Sequence, residues 1–164
     1  MAVEPRLASA VMLLRDTTSG QGIEVFMVRR VIQSDFMPDV YVFPGGSVSE
    51  DDRAAELVEG LCKPVAASQG DPEGRTALGS GARAAAIREL FEEAGILLAY
   101  HAKKLLAITE QEGERFDTYR KAFNERKGSL VEMAHTEHLT LATDLLDYFA
   151  HWITPEGMPK RFDT

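Results

Sequence analysis

Apolar and polar positions at the start of the chain form short runs separated by turn residues, a pattern typical of β-strands. Residues 7–14 form one run and residues 23–30 a second, with a polar, glycine-containing cluster at 16–22 between them. This spacing predicts an antiparallel hairpin with a loop of about seven residues. A third strand is predicted over residues 40–43, where Pro44 stops it.

Helical propensity dominates after the third strand. One helix is predicted over residues 51–62, with aspartates suited to its N-terminal cap, and the strongest helix over residues 82–94. Gly95 stands where a left-handed residue commonly ends a helix. Apolar spacing predicts another helix over residues 114–127, and a serine can cap one more over residues 129–134.

Two segments complete the pattern. Residues 63–81 contain two prolines and four glycines, which predicts a surface loop. Residues 145–154 form an apolar segment that predicts a last strand, ending at Pro155. This order of strands and helices indicates an α+β fold with a mixed or antiparallel sheet.

Composition indicates one globular domain over residues 1–164. Hydrophobic residues make up 45% of the chain, too many for general disorder. The longest apolar runs are far shorter than the roughly 20 residues of a membrane span, and the N-terminus lacks a signal-peptide pattern. Cys62 is the only cysteine, so no internal disulfide forms and a cytoplasmic location is predicted.

Charge argues against nucleic acid as a partner. The chain has 18 basic and 26 acidic residues, a net charge of −8. Such a chain repels polyanions unless bound cations reverse the local field. The expected partner is therefore a small molecule, with no role at a nucleic acid or a membrane.

Three glutamates give the chain its first candidate chemistry. Glu89, Glu92 and Glu93 stand at i, i+3 and i+4, on one face of the predicted helix. This crowding near a helix C-terminus is unfavourable, but oxygen ligands gathered in this way suit Mg²⁺ or Mn²⁺. Taken alone, the triplet favours an ordinary solvated acidic face over a metal site.

A Pro-Gly-Gly sequence follows the third strand. Pro44, Gly45 and Gly46 leave the backbone open to close approach by an anion. In isolation, such a sequence is a simple turn.

Together these segments resemble the Nudix hydrolase superfamily. Its motif is Gly, five residues, an acid, seven residues, then Arg-Glu-aliphatic-x-Glu-Glu-x-Gly-aliphatic. The second half matches at every defined position: Arg88, Glu89, Leu90, Glu92, Glu93, Gly95 and Ile96.

The first half of the motif allows two registers. In the uninterrupted register Gly74 matches, but Ser80 replaces the acid. In the interrupted register Gly46 is the glycine and Asp52 the acid, 36 positions before Arg88 instead of the usual eight, an insertion of 28. We prefer the interrupted register, with the insertion at 53–81. It resembles a subgroup that includes a peroxisomal coenzyme A diphosphatase. Whether Asp52 or Glu50 replaces the usual glutamate stays open.

The resemblance implies an architecture. It predicts a Nudix-type mixed or antiparallel sheet packed between helices, an α/β/α sandwich, with a helical insertion over the site at about 98–140. In the subgroup the segment at 161–164 continues along a strand and into a C-terminal helix, so either a fragment or a C-terminally shortened relative is expected here.

The resemblance also implies a reaction, hydrolysis of a nucleoside diphosphate linked to another moiety with Mg²⁺ or Mn²⁺ as cofactor. The implied catalytic residues are Glu89, Glu92 and Arg88, with Arg88 orienting a glutamate by ion pairing. The implied metal ligands are Glu89, Glu92 and Glu93, and the implied substrate-binding residues are Gly45, Gly46 and Arg30. The identity of the general base stays open.

The substrate has several candidates. Coenzyme A or an acyl-CoA leads, although only Arg30 fits the coenzyme A pattern, and Val31, Asp35 and Asp39 depart from it. ADP-ribose or a dinucleotide is the alternative. A non-catalytic Nudix-fold module that binds a nucleotide or a partner is a second hypothesis. Homodimers are common in the superfamily, but nothing in the chain selects one.

Overall fold

The computed structural model describes residues 3–30, 39–66, 71 and 76–164. The strands are β1 Arg6–Ala10, β2 Leu14–Asp16, β3 Ile23–Val25, β4 Val28–Arg29, β5 Tyr41–Val42, β6 Gly45–Ser47, β7 Ala99–His101, β8 Lys104–Leu105, β9 Leu139–Leu141 and β10 Phe162–Asp163. The helices are α1 Glu50–Leu57, α2 Ala82–Ala94, α3 Glu110–Asn124 and α4 Leu130–Thr136, followed by a 3₁₀ turn at Thr143–Leu145.

The sheets confirm the predicted α+β class with mixed pairing. Strand β1 pairs antiparallel with β6 and parallel with β10. Strands β2 and β3 form the predicted hairpin, with Leu14 opposite Val25, and β4 pairs antiparallel with β5. Strand β7 lies between β8 and β9, antiparallel to both. Residues 31–38, 67–70 and 72–75 lie outside the described residues, and with them Val31, Asp35 and the Gly74 of the rejected register.

The predicted helices are all present, with differences at their ends. Helix α1 is capped by Ser49 rather than by an aspartate, and Asp52 closes a capping box with it. Helix α2 has the predicted bounds and ends at Gly95, whose φ is +72°. Helix α3 begins earlier than predicted, after Thr109, and Ser129 caps α4 as expected.

The strand predicted over residues 145–154 is wrong. Only Ile153 makes a β-bridge there, to Asp163. Leu145, Phe149 and Trp152 are exposed. Apolar composition was the whole basis of the prediction, and only the end of the run finds a partner, where Trp152 exchanges backbone hydrogen bonds with Thr164 and the Thr154 amide donates to the Phe162 carbonyl.

Residues 98–140 combine helices and strands. Helices α3 and α4 lie in this segment, together with β7, β8 and the start of β9. No helix in the described part of the chain is long and apolar enough to cross a membrane.

Helix α2 is the centre of the core. Ile87, Leu90 and Phe91 are almost completely buried. Phe91 makes edge-to-face contacts with Phe116 and Phe123 of α3, at centroid distances of 6.4 and 6.0 Å. These contacts hold α3 firmly against the helix that carries the three glutamates.

The β7–β8 turn provides a test of local strain. Ala102 and Lys103 form its two-residue loop with φ of +47° and +68°. Both positions of such a turn favour glycine or asparagine, because a Cβ atom is unfavourable in the left-handed region. We expect Lys103→Gly to raise the free energy of unfolding by about 0.5–1 kcal/mol in urea denaturation.

Lys104 is the matched control for this turn, because it lies next along the chain in strand β8. Lys104→Gly should lower the free energy of unfolding, since glycine weakens a strand. Equal loss of stability in both variants would show that the turn is not strained.

Candidate functional site

Arg88 is the centre of the candidate site. It lies on α2 and is 9% exposed. Its Nε and Nη2 donate to the two carboxylate oxygens of Asp52, each at 2.9 Å. Its Nη1 donates to Oε1 of Glu89 and Oε1 of Glu92, each at 2.8 Å. One guanidinium therefore orients three carboxylates, and Nη2 also bonds the carbonyl of Ser47 at 2.9 Å.

Asp52 joins the two halves of the interrupted motif. It is fully buried and accepts hydrogen bonds from the amide and hydroxyl of Ser49, at 2.7 and 2.8 Å, besides those from Arg88. Glu50, the other candidate for this place, has a side chain that is 96% exposed and pairs with Arg53 at 3.5 Å. The acid that meets the second half of the motif is therefore Asp52.

The paired glycines let strand β6 approach the glutamates. The Gly45 amide donates to Oε2 of Glu93 at 3.3 Å. A Cβ atom added at Gly46 would lie 2.3 Å from Oε1 of Glu89, and one added at Gly45 would lie 2.5 Å from the carbonyl oxygen of Ser9. No larger residue fits at Gly45, where the clash is with the backbone of β1, and a larger residue at Gly46 would displace the carboxylate of Glu89.

The site holds more negative charge than its own residues neutralise. Burial raises the pKa of Glu89 to about 7, against the opposing effect of Arg88 and with added repulsion from Glu92 and Glu93. Burial also raises the pKa of Glu93, although the Gly45 amide and the charge of Arg30 oppose it. A bound cation would relieve this excess of negative charge.

The predicted ligands fit a divalent cation by chemistry. The three side chains offer only oxygen donors, and those of Glu89 and Glu92 are 12% and 14% exposed. Across residues 3–30, 39–66, 71 and 76–164, no group of three or more His, Cys, Asp or Glu side chains is arranged so that it could hold a metal ion. Glu89 and Glu92 are turned toward Arg88 instead, so the site residues form an ion-paired cluster.

Arg30 lies at the margin of this cluster. Its amide donates to the carbonyl of Val40 at 3.0 Å, and its charge acts on Glu93. The structure thus brings Arg88, Glu89 and Glu92 together, with Glu93 and the two glycines beside them and Arg30 within electrostatic range.

Sequence reasoning missed two residues that fix α2. Glu56 of α1 is buried and accepts hydrogen bonds from the amides of Gly79, Gly81, Arg83 and Ala84, at 2.9, 2.9, 3.0 and 3.2 Å. It therefore caps the N-terminus of α2 from another helix. No local sequence signal identifies it, because the contacts span 23 to 28 residues.

Arg120 holds the other end of α2. Its Nε donates to the carbonyl of Glu92 at 2.8 Å, and its Nη2 donates to the carbonyl of Glu93 at 2.9 Å. The sequence places Arg120 on the predicted helix of residues 114–127 but contains nothing that relates it to the motif.

A cavity of about 530 Å³ lies between the end of α1 and the start of α2. Leu57, Cys62 and Arg83 are among the residues that line it. Arg83 precedes Glu92 by nine residues, about 2.5 helical turns, and so lies on the opposite face of α2. This cavity is therefore separate from the carboxylate cluster.

The thiol in this cavity should be unreactive. Burial, with the added charge of Glu56, raises the pKa of Cys62 from its ordinary 9.0 to about 12. At pH 8 the thiolate fraction, and with it the rate of alkylation by iodoacetamide, is expected to be roughly 1,000-fold below that of a free cysteine. The rate should still rise above pH 10, and denaturation should restore the ordinary profile. A plateau near pH 9 in the folded protein would contradict this expectation.

Known proteins resemble the chain in sequence and in fold. No protein-family model matches the chain. Acyl-coenzyme A diphosphatase NUDT19 of Xenopus laevis is 27% identical over 86% of this chain and 45% of its own length. The protein of the same name from Gallus gallus is 29% identical over 86% of this chain and 46% of its own length. The crystal structure of a NUDIX hydrolase from Alicyclobacillus acidocaldarius superposes with a TM-score of 0.71 at 24% identity, covering 98% of this chain and 67% of that one.

The chain is a protein of the Nudix fold, and its resemblance to the Nudix hydrolase superfamily is confirmed. Within that class it resembles the acyl-coenzyme A diphosphatases, as the interrupted motif predicts. The chain spans less than half of the length of these curated relatives.

Proposed function

We propose that the protein is a Mg²⁺- or Mn²⁺-dependent pyrophosphohydrolase that cleaves the diphosphate of a nucleoside diphosphate linked to another moiety. The observation that carries this proposal is the cluster of Glu89 and Glu92 around Arg88, with Glu93 against Gly45. The cluster combines carboxylate oxygen ligands with excess negative charge, and the glycine end of strand β6 lies beside it.

Each residue of the cluster has a proposed role. Glu89, Glu92 and Glu93 would hold the cation, which would neutralise pyrophosphate charge and lower the pKa of water. Arg88 acts as a positioning residue, because its Nη1 holds one oxygen of Glu89 and one of Glu92 in fixed directions. Gly46 leaves room for the Glu89 carboxylate, and Gly45 and Gly46 together shape the backbone beside the proposed diphosphate.

Arg30 completes the proposed substrate contacts. Its charge acts on Glu93, which supports a contact between Arg30 and a diphosphate bound at this end of the cluster. A positive side chain there offsets part of the repulsion between a polyanionic substrate and a protein of net charge −8.

Coenzyme A or an acyl-CoA is the proposed substrate. The names of the curated relatives support this choice, and the interrupted motif agrees with it. Asp39, which departs from the coenzyme A pattern, forms an ion pair with Arg29, whose Nε lies 2.8 Å from the Asp39 carboxylate. ADP-ribose and dinucleotides are the competing substrates that the experiment must separate.

The partner, the oligomeric state and the location of the enzyme belong to the same proposal. We expect a small-molecule nucleotide conjugate rather than nucleic acid as partner, in view of the net charge. A homodimer is proposed only because dimers are common in the superfamily, and a cytoplasmic location because Cys62 is the single cysteine.

The test is product analysis by mass spectrometry after incubation with pooled nucleotide conjugates in Mg²⁺, in Mn²⁺ and in chelator. We expect metal-dependent release of 3′,5′-ADP and 4′-phosphopantetheine from coenzyme A, or its acylated form from acyl-CoA. AMP from ADP-ribose would keep the reaction and replace the substrate. Nucleotide binding without any cleavage, by protein shown to be folded, would overturn the proposal in favour of a binding module.

A further inference from the structure

The end of α2 that carries the proposed metal ligands is held by a side chain from outside the motif. Arg120 of α3 is half-buried and donates to the main-chain carbonyls of Glu92 and Glu93. The last carbonyls of a helix have no partner within the helix, so these two would otherwise be free to move. The guanidinium fixes both residues at their backbones.

The left-handed residue after the helix lies beside this contact. A Cβ atom added at Gly95 would lie 3.5 Å from Nη1 of Arg120, and the φ of Gly95 is +72°. The glycine of the motif thus ends the helix, and the guanidinium packs against the turn that it forms.

Helix α3 is anchored on both sides of Arg120. Phe116 precedes Arg120 by four residues and Phe123 follows it by three, so the three side chains share one face of α3. Both phenylalanines pack edge-to-face on Phe91 of α2. Arg120 therefore approaches the end of α2 from a fixed distance and direction.

We infer that Arg120 is a positioning residue for the cation site, fixing the directions in which the carboxylates of Glu92 and Glu93 leave α2. The inference rests on the proposed function. Charge alone predicts the opposite effect, because a guanidinium near a cation site repels the cation and its removal would strengthen binding. Positioning predicts that its removal weakens binding.

The two effects can be separated by measuring cation binding directly. Mn²⁺ is titrated into the full chain without substrate, and free Mn²⁺ is followed by its electron paramagnetic resonance signal. For Arg120→Met we expect the Kd for Mn²⁺ to rise about tenfold, the usual size of an effect from a residue that orients metal ligands. For Arg120→Lys, which keeps the charge and can reach one carbonyl, we expect a smaller rise, about threefold.

Lys121→Met is the matched control, since Lys121 is an exposed cation next to Arg120 on the same helix. It removes the same charge without touching α2 contacts, and its Kd should stay within about twofold of the wild type. Circular dichroism at the assay temperature checks that each variant is folded. If Arg120→Met is not folded, the Kd of Arg120→Lys is the deciding measurement.

The outcomes distinguish this inference from the proposed function. Wild-type protein that binds no Mn²⁺ would overturn the proposed function itself. Wild-type binding together with unchanged or tighter binding by the Arg120 variants would overturn the positioning role alone. Weaker binding in Lys121→Met of the same size as in Arg120→Met would also overturn it, because the effect would then not depend on the two carbonyl contacts.

Discussion

Glu92→Gln and Glu93→Gln should each lower kcat by about 100-fold or more while leaving the fold intact. The substitution removes one negative charge from a site whose proposed cation is held by carboxylates, and neutral amide oxygens are much weaker ligands for hard cations. Hydrogen bonding survives it, because a glutamine oxygen can still accept from Nη1 of Arg88 or from the Gly45 amide. The measurement is steady-state turnover of coenzyme A in saturating Mg²⁺, with thermal melting of each variant alongside.

Glu114→Gln supplies the control for this pair. Glu114 is an exposed residue of α3 and lies outside the carboxylate cluster, so its variant should turn over like the wild type. Turnover at the wild-type rate in both site variants would contradict the metal assignment. A large fall in melting temperature would instead show that the glutamates are structural.

Glu56→Ala should be strongly destabilising, because this buried residue of α1 caps another helix. The carboxylate satisfies four backbone amides at and before the start of α2, and alanine would leave buried donors without an acceptor. Each such donor costs about 1–3 kcal/mol, so we expect the free energy of unfolding to fall by about 3 kcal/mol or more. For a domain of this size that corresponds to a fall in Tm of about 10 °C, measurable by calorimetry.

Glu59→Ala is the corresponding control. Glu59 is exposed, three residues further along the chain, and its loss should change the free energy of unfolding by less than about 0.5 kcal/mol. Equal effects in the two variants would mean that the four amides are satisfied in some other way and that Glu56 is not the cap of α2.

The sequence was most informative where the determinants of structure are local. Helix α2, its end at Gly95 and the cap of α4 by Ser129 all follow from propensity and capping rules that act within a few residues. The β2–β3 hairpin follows from alternating apolar runs and a turn cluster. These predictions were confirmed because no contact with distant residues competes with the local rules.

Contacts between distant residues could not be predicted in this way. From the sequence, Glu56 is an ordinary charged residue of a helix, and only the packing of α1 against α2 makes it a cap. Arg120 is likewise an unremarkable helix arginine until α3 docks on Phe91. The strand predicted over residues 145–154 failed for a related reason, because pairing depends on a neighbour that the sequence does not identify.

The candidate site lay between these two cases. The spacing of Glu89, Glu92 and Glu93 gave their common face, and the resemblance to a known motif selected Asp52 over the uninterrupted register. The contact between Asp52 and Arg88 agrees with that selection. The metal itself and the roles of the glutamates stay predictions, which the Mn²⁺ titration and the turnover measurements address.

The bidentate pair of Asp52 and Arg88 has a consequence for the chain entropy of the interrupted motif. It closes a segment of 36 residues, where an uninterrupted motif would close about eight. Loop-closure entropy grows only with the logarithm of length, so the longer segment costs about 1.3 kcal/mol more. A single charge-assisted hydrogen bond offsets a cost of that size. The length of the segment between the two halves can therefore change greatly in evolution at a cost of only about 1.3 kcal/mol in the free energy of assembly.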